Sequence, residues 1–224
     1  MRPCNICSEL AGSADSPFAN IIGRGIVGAI FAQTREFRII PSLGPLVVGH
    51  SLLVSTMHMT SICALMGAPG LMNQVSTLVA KFANSMLLDD NTELFCFEHG
   101  SLDETDEPLC STTHAHLHLV PLRSKTVQKI LSQQFLAQTH LLGADQITHA
   151  VGNCRRYLFA CSAGRDGEMQ KGYVRDAEGL ESQFMRRVIA RELGLGSGDW
   201  KTSPNTPALE RTLSLGFQQL SLRA

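Results

Sequence analysis

Three of the chain's eight histidines fall at alternate positions in HAHLHLV: His114, His116 and His118. Alternation with apolar residues predicts a strand. In a strand, positions i, i+2 and i+4 share one face at steps of roughly 6–7 Å. Ala115, Leu117 and Leu119 then face a core on the other side. Three imidazoles on one face of a core strand each need a partner, and they repel one another when protonated. Two chemistries suit such a row. Two or three of the rings could chelate a metal ion. Alternatively, one ring is a nucleophile and its neighbours position it.

Other residue types add to this. Cys4 and Cys7 form a CxxC, and the chain's seven cysteines are an odd number. In a reducing compartment a CxxC reads as a metal or redox motif rather than a disulfide. The segment GHSLLVSTMH ends in His58. Further on, ESQFMRRVIARELG places Gln183 and Arg186 at i and i+3 on one helical face, with Arg187 beside them. A guanidinium fork suits phosphate. Trp200 is the sole tryptophan, for which a core or interface role is the default.

The elements that must hold these residues follow from periodicity. Residues 1–20 read as a loop-like arm carrying the CxxC. Residues 21–40 are apolar and predict two strands, and SLLVSTMH predicts another. Leu71, Val75, Leu78, Val79, Phe82 and Met86 recur at helical spacing and predict a helix over 71–88. TELFCFE predicts a strand, GSLDETDEPLCS an acidic loop, and HAHLHLVPL a strand stopped by Pro121. Residues 125–150 read as helical, RRYLFACSA and GYVRD as a hairpin, and 181–194 as an amphipathic helix with a glycine stop. A loop and a short helix close the chain. The expected class is α+β, with a mostly antiparallel sheet of five or six strands, packed helices and a helical C-terminal extension.

Composition bounds the function. Of 224 residues, 44% are apolar and 17% charged, and the net charge is −1. A polyanion-coating surface is excluded, so bulk nucleic-acid binding is not expected and any phosphate recognition must be local. No apolar run reaches the roughly 18 residues of a membrane span. MRPCNICSEL lacks a signal-peptide layout, so the expected location is cytoplasmic.

HAHLHLV, with GHSLLVSTMH upstream and the helix and strand between them in the same order, resembles the histidine triad (HIT) superfamily. Galactose-1-phosphate uridylyltransferase is a relative, and the N-terminal CxxC resembles its zinc-containing branch. The likeness covers residues 1–123, leaving 124–224 as an extension packed on that core. It implies a nucleotide substrate and nucleotidyl hydrolase or transferase chemistry. His116 would be the nucleophile, His118 a phosphate or tuning contact, and Ser111 a phosphate contact. It further implies a structural zinc held by Cys4, Cys7, His58 and His114, and a homodimer joined through the long helix and sheet edge. His50, in the Gly-His turn, would support local structure.

The chain also departs from the family's pattern. Where the family commonly carries Asn-x-Gly or Gln-x-Gly, this sequence has Glu98, His99 and Gly100. A carboxylate facing phosphate is repulsive. Glu98 is therefore expected to bind an amine or pair with an arginine, and His99 to reach the phosphate. Together with Gln183 and Arg186, these residues form the expected substrate-binding set. The acidic loop before Ser111 argues for a phosphoramidate or single-nucleotide conjugate over a dinucleoside polyphosphate. The alternatives are a nucleotidyltransferase acting on a small acceptor, a metal-dependent hydrolase using the histidine row, and a non-catalytic nucleotide-binding protein.

Overall fold

The computed structural model describes residues 4–23, 25–68, 70–86, 89–103, 114–135, 143–202 and 204–219. Its strands are β1 (Ala32–Gln33), β2 (Phe37–Pro41), β3 (Ser51–Ser55), β4 (Thr92–Ser101), β5 (His116–Arg123), β6 (Arg156–Ala163) and β7 (Met169–Asp176). The helices are α1 (Asn5–Leu10), α2 (Pro17–Ile22), α3 (Leu71–Met86), α4 (Ser124–Gln134), α5 (Ala144–Gly152), α6 (Phe184–Glu192) and α7 (Thr206–Gln219). Short 3-10 turns cover Ile26–Ala29 and Cys63–Leu65.

The strands form one seven-stranded sheet in the order β1-β2-β3-β5-β4-β6-β7. Every neighbouring pair is antiparallel. The α+β class and antiparallel sheet match expectation. The strand count exceeds it, because β1 is only two residues long and β6–β7 extend the same sheet. Residues after 123 therefore continue the core sheet as well as adding helices to it. Both edges of β4 are taken within the chain, by β5 and β6.

Alternation sorts the sheet into two packed faces. Leu94, Cys96, Leu117 and Leu119 join Val75, Leu78, Val79 and Phe82 of α3 in one buried cluster. Phe95, Phe97, Val120 and Leu122 join Val127 and Ile130 of α4 and Met185 and Ile189 of α6 in another. Helix α3 forms as its spacing predicts, with six buried positions on one stripe. Burying each large side chain there contributes about 1.5–3 kcal/mol.

The N-terminal arm differs from the expected loop. Cys4 caps α1, its Sγ accepting from the Cys7 amide at 3.4 Å. Ser16 caps α2 in the same way through Ala19, with Pro17 at the first helical position and Gly23 closing the helix at φ 74°. These are strong local start and stop signals. Each helix is only six residues long, too short for its periodicity to stand out. Among the described residues, no helix is long and apolar enough to cross a membrane.

Candidate active site

Cys4, Cys7, His58 and His114 come together from α1, the segment after β3 and the residues before β5. Their ligand atoms all lie within 4.8 Å of one another. Cys4 Sγ and Cys7 Sγ lie 3.5 and 3.4 Å from His114 Nδ1, and Cys7 Sγ lies 3.4 Å from His58 Nδ1. Ligands at ordinary Zn–S and Zn–N lengths on a tetrahedron are separated by about 3.5 Å along a sulfur–nitrogen edge. The donor set and these spacings therefore fit a closed Cys2His2 zinc site. His114 Nε2 lies 2.9 Å from the Ser55 carbonyl. A carbonyl only accepts, so Nε2 carries the proton and the Nδ1 lone pair turns toward the sulfurs. Burial alone would raise the Cys4 thiol, but hydrogen bonding with His114 and Cys7 brings it down to about 6. Burial, then the neighbouring Cys4, pushes Cys7 up to about 11.

The same logic fixes the next ring. His116 Nδ1 lies 2.8 Å from the His114 carbonyl. Nδ1 must donate, which leaves Nε2 with its lone pair. Burial is the main cause that lowers its pKa to about 4; the bond to the carbonyl opposes it, and His114 and Arg186 add to it. The ring is thus neutral at physiological pH.

His118 is set the opposite way round. The Leu46 amide donates to His50 Nδ1 at 3.1 Å. The neutral His50 ring therefore carries its proton on Nε2, which lies 3.0 Å from His118 Nδ1. His118 accepts there and carries its own proton on Nε2. That buried Nε2 has no hydrogen-bond partner among the described residues. Burial first, with Arg186 and His116 adding to it, holds both His50 and His118 well below the usual histidine range. Phe97 stacks on His118 at 4.2 Å between ring centroids, with 10° between the planes.

His116 and His118 line an open pocket. The arm contributes Ile6, Glu9 and Pro17 to its lining, and the C-terminal half contributes Gln183, Arg186 and Trp200. Arg186 is buried and ties two loops together. Its Nε donates to the Gly198 carbonyl at 2.9 Å and its Nη2 to the Gly44 carbonyl at 2.5 Å. Gly44 is required at that corner, because a Cβ there would collide with Trp200. Gln183 caps α6 in the left-handed region at φ 60°, a conformation that costs of order 1 kcal/mol in a non-glycine residue. Its amide donates to Asp199 Oδ1 at 2.9 Å and accepts from the Trp200 amide at 3.4 Å, which holds it in place.

The structure brings together His116, His118, Gln183 and Arg186 at the pocket, and the four cysteine and histidine ligands beside it. It does not bring Glu98 or Gly100 there. Residues 98 and 100 share a face with Cys96, whereas His116 and His118 lie on the face of Phe97, which pairs with His118. Glu98 is buried on the far face. Its carboxylate accepts from the Ile62 and Cys63 amides at 2.8 and 3.0 Å and from the Tyr157 hydroxyl at 2.6 Å. Its partners are thus two amides and a phenol, not an amine or an arginine. Burial raises its pKa and these bonds oppose the rise. Gly100 leaves room for the Tyr157 ring, with which a Cβ would collide. His99 lies on the histidine face, but its Nε2 accepts from the Met185 amide at 3.2 Å, anchoring α6. Ser111 lies outside the described residues.

Sequence reasoning did not place Glu9, Ser42 or Trp200 at the site, yet all three line the pocket. A usable signal existed for Glu9: a lone carboxylate two residues after the CxxC in an otherwise apolar and small-residue arm.

No family model matches the sequence, and no curated protein matches it significantly. Among solved structures, the chain is similar to a zinc-bound histidine triad family protein from Mycobacterium smegmatis. That match has a TM-score of 0.36 and 18% identity, covering 54% of this chain and 76% of that one. It is also similar to a Hit-like protein involved in cell-cycle regulation from Bartonella henselae, with TM-score 0.33 and 14% identity over 43% and 67% of the two chains. A hypothetical histidine triad nucleotide-binding protein from Sulfolobus tokodaii gives TM-score 0.33 and 15% identity over 67% and 93%.

Proposed function

We propose that the protein is a histidine-triad-like enzyme that hydrolyses a nucleoside phosphate conjugate, of phosphoramidate or dinucleoside polyphosphate type, through a covalent nucleotidyl-His116. One observation carries this reading. The His116 Nδ1 proton is committed to the His114 carbonyl, so the neutral ring presents its Nε2 lone pair at the pocket. In the first step Nε2 attacks the α-phosphorus. A phosphorus–nitrogen bond forms, and the bond to the leaving group breaks with its electron pair. The leaving group takes up a proton. In the second step water attacks the same phosphorus, loses a proton and returns the electron pair to His116. His118 Nε2–H would donate to a phosphoryl oxygen in both steps. The buried Arg186 charge adds a positive field at that end. A small-molecule acceptor in place of water would make the same site a transferase.

Cys4, Cys7, His58 and His114 would hold zinc in a closed, structural site. When bound, the metal would tie the arm to the sheet and so fix one pocket wall. The reading with a catalytic metal on the histidine row is less well supported. Nδ1 of His116 is engaged by a carbonyl and Nδ1 of His118 by His50, and only His114 belongs to the four-ligand cluster. A homodimer built through the sheet would have to meet β1 or β7, since β4 is already paired on both edges.

The test is turnover of adenosine and guanosine 5′-phosphoramidates and of diadenosine tetraphosphate. Wild-type protein should release the mononucleotide, and His116→Ala should lose on the order of 10³-fold or more. Equal turnover by the two proteins would remove His116 from the chemistry.

A further inference from the structure

Residues 97, 98 and 99 of β4 each hold a different part of the molecule. Phe97 stacks on His118, and His99 accepts from the Met185 amide beside Arg186. Glu98 points to the far face and is 1% exposed. Its Oε1 accepts from the Ile62 amide at 2.8 Å, and its Oε2 from the Cys63 amide at 3.0 Å and the Tyr157 hydroxyl at 2.6 Å. Both amides are served whether or not the carboxyl carries a proton, because each oxygen keeps a lone pair.

Those two amides close a stretch on which the cysteine–histidine cluster depends. Residues 56–62 form no helix or strand, and within them His58 is exposed. Core packing therefore does not fix this ligand, and the bonds of its own segment must. Next to it, the Met59 carbonyl accepts from the Ala115 amide at 2.6 Å. Ala115 lies between His114, whose carbonyl orients the nucleophile, and His116 itself. One short segment thus carries a ligand and grips the start of the histidine strand. The turn that follows is tied separately: Thr148 donates to the Cys63 carbonyl at 3.1 Å and accepts from the Gly67 amide at 3.0 Å.

We propose that Glu98 is a positioning residue: from the far face of the sheet it holds the segment bearing His58 and Met59, so that the cysteine–histidine cluster and the start of β5 are in place before a metal binds. A site already in place binds more tightly, because less of the binding energy goes into ordering its ligands. This inference rests on the zinc reading above and adds the residue that sets the cluster from outside it.

The experiment is zinc titration of the full chain against a chromophoric chelator, under reducing conditions, for wild type, Glu98→Gln and Val79→Ala. Glu98→Gln keeps one acceptor oxygen but turns an N–H donor toward the segment, so one of the two amide bonds is lost. It should weaken zinc binding about tenfold. Val79 is buried on α3, away from this segment. Val79→Ala lowers stability through the core and should leave zinc affinity unchanged while the protein stays folded. Equal affinity in wild type and Glu98→Gln overturns the proposal. An equal loss in Val79→Ala and Glu98→Gln also overturns it, since stability alone would then explain the effect. Amide hydrogen exchange of metal-free wild type is a second test that needs no variant. The Ile62, Cys63 and Ala115 amides should exchange as slowly as those inside β5. Rapid exchange at all three overturns the proposal even where Glu98→Gln does not fold. If wild type binds no zinc, the metal reading falls and the proposal with it.

Discussion

His50 Nε2 lies 3.0 Å from His118 Nδ1, and the Leu46 amide on the far side of the His50 ring decides which of the two nitrogens carries the proton. One backbone N–H thus sets the tautomer of two rings in series. The consequence at the pocket is a donor on His118 next to an acceptor on His116. His50→Phe keeps a ring but removes both nitrogens. Turnover is expected to fall about tenfold to a hundredfold, and stability by about 1–3 kcal/mol, as the Leu46 amide and His118 Nδ1 lose partners. His50→Asn, which retains an acceptor and a donor, is expected to recover part of both. Steady-state kinetics with urea unfolding checks this; unchanged kcat in the Phe variant would detach His118 from His50.

Zinc content is the second prediction. The purified protein should carry one zinc ion per chain by elemental analysis, and Cys7→Ser should lose it. Stripping the metal removes folding energy. A loss of several kcal/mol, at about 2–4 °C for each in a chain of this size, lowers the melting temperature by roughly 10 °C. Turnover that vanishes on stripping while the melting temperature holds would instead mark the metal as catalytic.

Acid sensitivity supplies the third. Burial, with His116 and Arg186 adding to it, lowers the pKa of His99 to about 3, against an ordinary value of 6.5. The unfolded chain binds a proton below 6.5 that the folded one refuses. The stability from neutral His99 is therefore fully present above pH 6.5 and is lost as pH falls toward 3. The slope is about 1.4 kcal/mol per pH unit for this residue alone. Denaturant unfolding at pH 7 and pH 5 should show a smaller loss in His99→Gln than in wild type. Identical losses would mean that His99 takes no part in the acid response.

How much of this was legible in the sequence depends on which physical signal each residue leaves. The strand of HLHLVPLR and the helix of residues 71–86 were readable because residue type repeats with a regular period, histidine against leucine at every second position in the strand and apolar residues at helical spacing in the helix. The four-ligand cluster was reachable through the family resemblance; the CxxC by itself marked only Cys4 and Cys7, and the two histidines lie far along the chain. Glu98 was misleading for a specific reason. Its neighbours Phe97 and His99 face the histidines, and a one-residue change of parity sends a side chain to the opposite face. The sequence holds both residues of the pair but not the register that decides between them. The pocket wall was least visible. Glu9 lies on a six-residue helix, and Trp200 reaches the site only because Gly44 lets a distant loop approach. Such closures are tertiary and leave no local period.

The central claim is that phosphorus passes through a covalent bond to His116, and the stereochemical course at phosphorus tests it most directly. A substrate made chiral at the α-phosphorus by sulfur and an oxygen isotope is hydrolysed, and the configuration of the product mononucleotide is determined. Attack by His116 and then by water is two in-line displacements, each inverting, so the account predicts net retention. Net inversion would mean that water attacks the substrate in a single step, and would contradict it.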